Sequence, residues 1–210
     1  MTDEKTLKYE TFTCYSYGMS FFKRDAKKYI LIYAGIMLVF ASVLFFMGQV
    51  PICRCGYIKL WQGVVFSSEN SQHISDWYTF SHLIHGFIFY WVLSVVGKKK
   101  NMSFGLRLLI ALIIEVSWEL FENTDFIINR YREATISLDY YGDSIINSVA
   151  DVFSMIVGFA LAYRLPVRVT IFVAVALEVF VGLSIRDNLM LNIIMLLYPM
   201  ESIKQWQMGI

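Results

Sequence analysis

The chain has 210 residues, of which 57% are hydrophobic and 17% are charged, and its formal net charge is +1. This composition is too apolar for a soluble domain of that length, so the sequence predicts an integral membrane protein. The near-neutral charge gives no indication of nucleic-acid binding, and no glycine-rich phosphate loop or zinc-finger spacing occurs.

Five apolar runs are long enough to cross a membrane as helices. They cover 29–50, 78–97, 104–121, 144–165 and 167–185, and each has roughly the 20 residues that a hydrocarbon core of about 30 Å requires. A sixth run, 189–200, is shorter and fits a re-entrant segment, an interfacial helix or a short tilted span. We predict an all-α transmembrane bundle of about five spans, forming one domain over 29–200 after a polar arm at 1–28.

The basic residues are distributed unevenly between the two sides of this topology. Twelve precede the first run or lie in loops on the same side, and five lie in the opposite loops. By the positive-inside rule, the N-terminal arm is cytoplasmic and the loops 51–77 and 122–143 are extracytoplasmic.

Three cysteines are present, Cys14 in the arm and the C-x-C pair Cys53 and Cys55 after the first run. An odd count argues against a disulfide framework, and a C-x-C bridge closes a strained small ring. We expect two free thiols in a loop, with a disulfide or a metal-binding role as the alternatives.

Ionisable and amide side chains recur at helical spacing in or directly beside three of the runs, where an ionisable group costs several kcal/mol unless it is paired or solvated. The second run begins with His82 and His85, the third ends with Glu115, Glu119 and Glu122, and the fourth begins with Asp143, Asn147 and Asp151. Because successive spans run in opposite directions, all three stripes should meet at one depth under the outer surface. This convergence predicts a functional site, although packing histidines and an N-cap role for Asp143 are the structural alternatives.

Imidazole and carboxylate groups together suit a divalent metal ion or acid–base catalysis. The candidate catalytic residues are His82, His85, Glu115, Glu119, Asp143, Asn147 and Asp151. A metal ion, whose presence the sequence leaves open, would draw its ligands from His82, His85, Glu119, Asp143 and Asp151. The candidate substrate-binding residues are Arg130, Arg132, Glu122, Asp139, His73 and Asp76. The two arginines suit a phosphate group, because guanidinium binds its oxygens in bidentate fashion, unless they are merely solvated.

The segments 53–61, 67–86, 118–123 and 130–151, which include S-H-L-I-H-G, W-E-L-F-E-N and Y-Y-G-D-S-I-I-N-S-V-A-D, closely resemble the DUF2585 (UPF0314) family of bacterial membrane proteins. The resemblance extends over about 51–166 and implies a multi-pass protein of the bacterial inner membrane. More distantly, the order of His82 or His85, Glu115 or Glu119, Arg132, Asp143, Asn147 and Asp151 resembles the VanZ-like membrane proteins. That likeness implies a relation to enzymes that exchange or hydrolyse lipid head groups.

Taken together, these patterns favour a membrane enzyme that acts on a phosphate-bearing lipid or a lipid-linked carrier under the outer face. Two alternatives stay open: a proton- or metal-coupled carrier, and a non-catalytic assembly or binding protein whose polar stripes hold helices together. The expected partner is a membrane lipid and not a nucleic acid, and the oligomeric state is not determined by the sequence.

Overall fold

A computed structural model describes residues 27–135 and 139–209 of the chain. The predicted polar arm, with Cys14, lies outside the described residues except for its last two positions. The described residues form eight helices and no strand. These helices are α1 Lys27–Phe46, α2 Thr79–Lys99, α3 Phe104–Glu122, α4 Asp125–Ala134, α5 Ile145–Arg164, α6 Val167–Ile185, α7 Leu189–Leu197 and α8 Glu201–Met208. The predicted all-α bundle is therefore confirmed.

Four of these helices, α1, α2, α5 and α6, are long and apolar enough to cross a membrane. The remaining predicted span, α3, is 19 residues long but carries Arg107 and three glutamates. Two of these, Glu115 and Glu119, are fully buried, because α3 turns them toward the other helices. The charge of α3 is thus directed into the bundle, as expected for an acidic helix in a membrane protein.

The helices α2 and α5 form the closest pair in the bundle. Gly86 of α2 and Gly158 of α5 lie at their crossing, and a Cβ atom on Gly86 would overlap the Met155 carbonyl oxygen, while one on Gly158 would overlap the Leu83 carbonyl oxygen. Small residues let helix backbones approach this closely in membrane proteins. The crossing fixes the start of α2 beside the start of α5, at what we call the polar end of the bundle.

The loop between α1 and α2 is attached to the N-terminus of α5. The Ser144 backbone N–H donates to the Ser71 carbonyl at 3.0 Å, the Gln72 amide donates to the Gly142 carbonyl at 2.8 Å, and the Asn147 amide donates to the His73 carbonyl at 2.8 Å. These bonds satisfy buried backbone groups, which would otherwise be costly. They hold the loop over the polar end.

The same loop contains a disulfide between Cys53 and Cys55, so the expectation of two free thiols is wrong. A tight turn, in which the Gly56 N–H donates to the Cys53 carbonyl at 3.1 Å, brings the two Cα atoms within 5.1 Å. That separation lies in the usual range for bridged cysteines.

The sixth apolar run, 189–200, folds as the short helix α7, and the helix α8 follows it. With nine residues, α7 extends only about 14 Å, too short to cross a membrane. Its N-terminus is capped twice, by the Asn188 side chain on the Leu191 N–H at 2.9 Å and by the Glu178 carboxylate on the Leu189 and Met190 N–H groups at 3.1 Å. Arg130 of α4 donates to the Leu196 carbonyl at 3.0 Å, so α7 lies against α4 at the polar end.

Candidate functional site

Two histidines of α2 share one carboxylate of α3. The Glu115 carboxylate lies 2.7 Å from His82 Nδ1 and 3.1 Å from His85 Nδ1. Glu115 is fully buried. An ionised carboxylate only accepts hydrogen bonds, so when Glu115 is ionised each Nδ1 atom carries a proton and donates it to Glu115. The Nε2 atom of each ring is then free to accept a proton or bind a cation.

Glu119, one turn farther along α3, has no equivalent partner. Both of its carboxylate oxygens are buried without a hydrogen bond among the described residues. His82 Nδ1 approaches Glu119 Oε1 at 3.3 Å, but its single proton already points to Glu115. On the other side of His82, Nε2 lies 4.0 Å from the Asp151 carboxylate of α5.

Hydroxyl groups hold the remaining carboxylates in place. Thr79 donates to Asp151 Oδ1 at 3.0 Å, Tyr131 donates to Glu122 Oε1 at 2.8 Å, and Tyr140 donates to Asp143 Oδ1 at 3.0 Å. Asp143 precedes α5, and burial raises the pKa of its carboxyl well above the ordinary value, with the nearby Glu122 and Asp151 carboxylates adding to the effect. Burial likewise raises the pKa of the Tyr131 and Tyr140 hydroxyls.

These groups surround a cavity of about 270 Å³ at the polar end. Its ionisable lining residues include His82, His85, Glu115, Glu122, Asp143 and Asp151. Its apolar lining residues are Phe89, Ile114, Trp118, Leu189 and Ile193. Tyr78, Tyr131, Tyr140 and Asn192 lie among the other lining residues. A cavity lined by both apolar and ionisable side chains can accommodate an amphipathic molecule.

Several candidates from the sequence lie away from this cavity. Arg130 donates to the Leu196 carbonyl, Arg132 donates to the Tyr140 carbonyl, and Asp139 is exposed. None of these three lines the cavity. Through these bonds, Arg130 connects α4 to α7, and Arg132 connects α4 to the loop before α5.

Three other candidates, His73, Asn147 and Asp76, stabilise the loop between α1 and α2 and the adjacent helix ends. His73 is buried between the Lys59 N–H and Glu69, at 3.2 and 3.1 Å, and Asn147 bonds the His73 carbonyl. Asp76 accepts from the Ser71 and Tyr78 N–H groups at 3.1 and 2.8 Å. Burial raises the pKa of the Asp76 carboxyl, and these backbone donors oppose the rise.

Three clusters of the polar end have ligand atoms within 4.8 Å of one another, close enough to share a metal ion. These are His82, His85 and Glu115; His82, Glu119 and Asp151; and Glu119, Glu122 and Asp143. A fourth, Cys53, Cys55 and His73, is unsuited to a metal because its sulfurs are bridged.

Comparison with known proteins places the chain among bacterial relatives. The family described as "Protein of unknown function (DUF2585)" matches residues 44–209. The chain belongs to the DUF2585 family. It is 52% identical to a UPF0314 protein of Rhizobium meliloti (strain 1021) over 90% of this chain and 94% of the relative. It is 51% identical to a UPF0314 protein of Paracoccus denitrificans (strain Pd 1222) over 82% and 89%. No solved structure matches.

The whole cavity lies within the region matched by the DUF2585 family, since its lining residues run from Asn70 to Ile193. In this DUF2585 protein, sequence reasoning missed Asn123, Tyr131 and Asn192. Asn123 Oδ1 accepts from the Asp143 N–H at 2.7 Å, and Tyr131 lies 3.0 Å from Asn192 Oδ1. No helical stripe of ionisable residues includes them, so local spacing carries no signal for them.

Proposed function

We propose that the chain is a membrane enzyme that hydrolyses or transfers the head group of a phosphate-bearing lipid or lipid-linked carrier. The observation that carries this proposal is the mixed lining of the cavity. Its apolar side chains suit acyl or isoprenoid chains, and its ionisable side chains offer acid–base groups to the head group. A soluble substrate would have no use for apolar lining residues such as Phe89, Trp118 and Leu189.

His85 is the group best placed to act as general base. It lines the cavity, its side chain is 16% exposed, and Glu115 holds its Nδ1–H. In the proposed reaction, His85 Nε2 takes the proton of a water or acceptor hydroxyl while that oxygen attacks phosphorus. The bond from phosphorus to the leaving oxygen breaks, and the imidazolium returns the proton to that oxygen. Glu115 keeps the required tautomer and stabilises the transient positive charge.

Two features of the sequence support the location and class of this chemistry. The residue order from His82 to Asn147 resembles that of the VanZ-like proteins, which have been grouped with lipid head-group enzymes. The excess of basic residues before α1 and between α2 and α3 favours a cytoplasmic N-terminus. With that orientation, the cavity lies at the extracytoplasmic face of a bacterial inner membrane.

The packing below the cavity disfavours a carrier. A carrier needs polar groups along a path through both halves of the membrane. Here the space beyond the ionisable groups is filled by a buried apolar cluster that includes Phe40, Leu44, Leu112, Met155 and Phe159. The carboxylates and imidazoles of α2, α3 and α5 are therefore confined to one end.

A comparison of cellular lipids tests the proposed function. Cells expressing the wild type would be compared with cells expressing equal amounts of His85→Gln, which retains a donor toward Glu115 but loses the base. Glu133→Gln, at an exposed position on α4, is the matched control. We expect a lipid or head group that changes with the wild type and the control but not with His85→Gln. Identical lipid profiles in all three, with each protein folded in the membrane, would contradict the proposal.

A further inference from the structure

Glu119 is an unusual side chain for the interior of a membrane protein. It is 0% exposed, and neither carboxylate oxygen has a hydrogen-bond partner among the described residues. A buried ionised carboxylate without a partner costs many kcal/mol, and native proteins pair such groups or bind a cation to them. Its oxygens therefore indicate a ligand that completes their coordination.

The neighbours of Glu119 form two clusters that both include it. One ring nitrogen of His82 and one oxygen of Asp151 lie within 4.8 Å of a Glu119 oxygen, and so do single oxygens of Glu122 and Asp143 in the second cluster. No lysine or arginine in the described part of the chain forms an ion pair with any of these carboxylates. Four acidic groups thus share one buried region without a cationic side chain other than histidine.

The four neighbours of Glu119 are each held in position by another side chain. Glu115 holds His82 by Nδ1 at 2.7 Å, and hydroxyls of Thr79, Tyr131 and Tyr140 each hold one oxygen of Asp151, Glu122 and Asp143. This leaves His82 Nε2 and the second oxygens of Asp151 and Glu122 available, while the second oxygen of Asp143 accepts a long hydrogen bond of 3.4 Å from the Asn123 amide. A carboxylate behind a histidine and donors behind carboxylates are the typical outer shell of a metal site.

From this geometry we propose a paired divalent-cation centre in which Glu119 is the shared ligand. One cation is bound by His82, Glu119 and Asp151, and the other by Glu119, Glu122 and Asp143. Two divalent cations bring four positive charges to these four carboxylates, which removes the charge imbalance. Oxygen-rich ligands with a single imidazole suit ions such as Mg²⁺, Mn²⁺ or Zn²⁺.

The third cluster of the polar end, His82, His85 and Glu115, is a weaker candidate. Both histidine Nδ1 atoms already contact the Glu115 carboxylate at 2.7 and 3.1 Å, so these three groups satisfy one another. The proposed pair instead uses both Glu119 oxygens, which have no hydrogen-bond partner among the described residues. It also leaves His85 Nε2 free for proton transfer.

The position of the centre complements the chemistry of the cavity. His82, Asp151, Glu122 and Asp143 line the cavity while Glu119 lies behind them, so both cations would face its interior. Paired divalent ions stabilise the attacking and leaving oxygens in phosphoryl transfer. This role in phosphate binding rests on the proposed function, whereas the centre itself rests only on the side-chain geometry.

Mn²⁺ binding to the purified full-length protein tests the inference. Chelator-treated wild type in detergent would be titrated with MnCl₂, and the free ion counted from its electron paramagnetic resonance signal. We expect two bound Mn²⁺ per chain. Glu119→Gln should weaken binding by about 10- to 100-fold, because both clusters lose a ligand. The matched control Glu133→Gln should bind like the wild type, and Asp151→Asn should retain one of the two ions.

Fewer than two ions per folded wild-type chain, or binding that Glu119→Gln leaves unchanged, would overturn the paired centre. Should Glu119→Gln fail to fold, Asp151→Asn decides the question through its stoichiometry: one ion supports the centre, and two ions overturn it. His85→Gln should still bind two Mn²⁺ although it loses the lipid reaction. Binding of two Mn²⁺ without any lipid change would therefore contradict the proposed function alone, and lipid turnover by a wild type that binds no Mn²⁺ would contradict the cation centre alone.

Discussion

At the scale of single residues, Glu115 determines how both histidines are presented. It contacts both Nδ1 atoms from a fully buried position, so both rings turn Nε2 away from α3. His82 and His85 could be identified from their i, i+3 spacing, because that spacing puts them on one helix face. The contact with Glu115 depends on how α2 and α3 are rotated against each other, which spacing alone does not specify.

Replacing Glu115 by glutamine should disturb the orientation of His82 and His85 without unfolding the protein. The glutamine side chain has nearly the same shape but can accept from only one oxygen and brings an NH₂ group against the second histidine. We expect lipid turnover to fall by about 10- to 100-fold while the protein remains folded. Turnover measured beside the elution profile in detergent checks this. Unchanged turnover would show that the histidines do not need this carboxylate.

Asp187 links the end of α6 to the start of α2 and gives a second prediction at this scale. It is 2% exposed and lies 3.1 Å from the Tyr78 hydroxyl and 3.1 Å from the Gln207 amide. Burial raises the pKa of the Asp187 carboxyl from 3.8 to about 6. A carboxyl whose pKa is higher in the folded state binds its proton more tightly there, so it destabilises the fold as pH rises from about 4 to about 6.

Asp187→Asn should remove this part of the pH dependence. The Tm of the wild type relative to the variant should fall between about pH 4 and pH 6, with a free-energy change of up to about 3 kcal/mol. Thermal unfolding of both proteins in detergent across this range measures the difference. A constant difference in Tm would mean that Asp187 titrates normally.

At the scale of helices, the crossing of α2 and α5 is the contact that assembles the site. It brings His82 of one helix within 4.0 Å of Asp151 of the other. The crossing depends on Gly86 and Gly158, where any side chain would overlap the facing backbone. The sequence shows these glycines but not that they face each other, because many glycines in membrane helices have no close neighbour.

Gly158→Ala should therefore destabilise the protein, whereas Gly35→Ala should not. A Cβ on Gly35 of α1 has no atom within 4 Å, so alanine there should be neutral or slightly stabilising through helix propensity. At Gly158 the added methyl group forces α2 and α5 apart, and we expect a loss of about 1–3 kcal/mol. Unfolding of both variants in detergent compares them. Equal stability would mean that the crossing tolerates a wider spacing.

The helix α7 was harder to predict from the sequence than the long helices. Its residues, 189–197, are apolar enough to form a short span, and the sequence also allowed a re-entrant segment or an interfacial helix. Capping by Glu178 and Asn188 lets it begin immediately after α6 and lie against α4. Its residues Leu189, Asn192 and Ile193 then complete the cavity wall. Glu178, whose role spacing did not reveal, is therefore a capping residue.

At the scale of the whole molecule, the polar end and the opposite end differ in chemistry. The polar end carries the cavity, the disulfide loop, α4 and α7, while at the opposite end Lys98 and Lys99 are the last residues of α2 and Lys100 follows them. Such a difference predicts that the cavity faces away from the cytoplasm.

Accessibility of single cysteines tests that orientation. In a chain whose three natural cysteines are replaced by serine, Glu133→Cys marks the polar end and Lys100→Cys marks the opposite end, both at exposed positions. On intact spheroplasts, a membrane-impermeant maleimide should label Glu133→Cys and spare Lys100→Cys. Both should react after permeabilisation. The reverse pattern would place the cavity on the cytoplasmic side.

The sequence by itself determined the membrane class, the positions of the long helices and the gathering of ionisable residues at one end. These follow from hydrophobicity and from residue spacing along single helices, which are local properties of the chain. Only the tertiary structure decided that Glu115 holds both histidines, that the Glu119 oxygens have no hydrogen bond among the described residues, and that Arg130 and Arg132 bond backbone carbonyls outside the cavity. These contacts join segments far apart in sequence, so they depend on how each helix is rotated and where it crosses its neighbours.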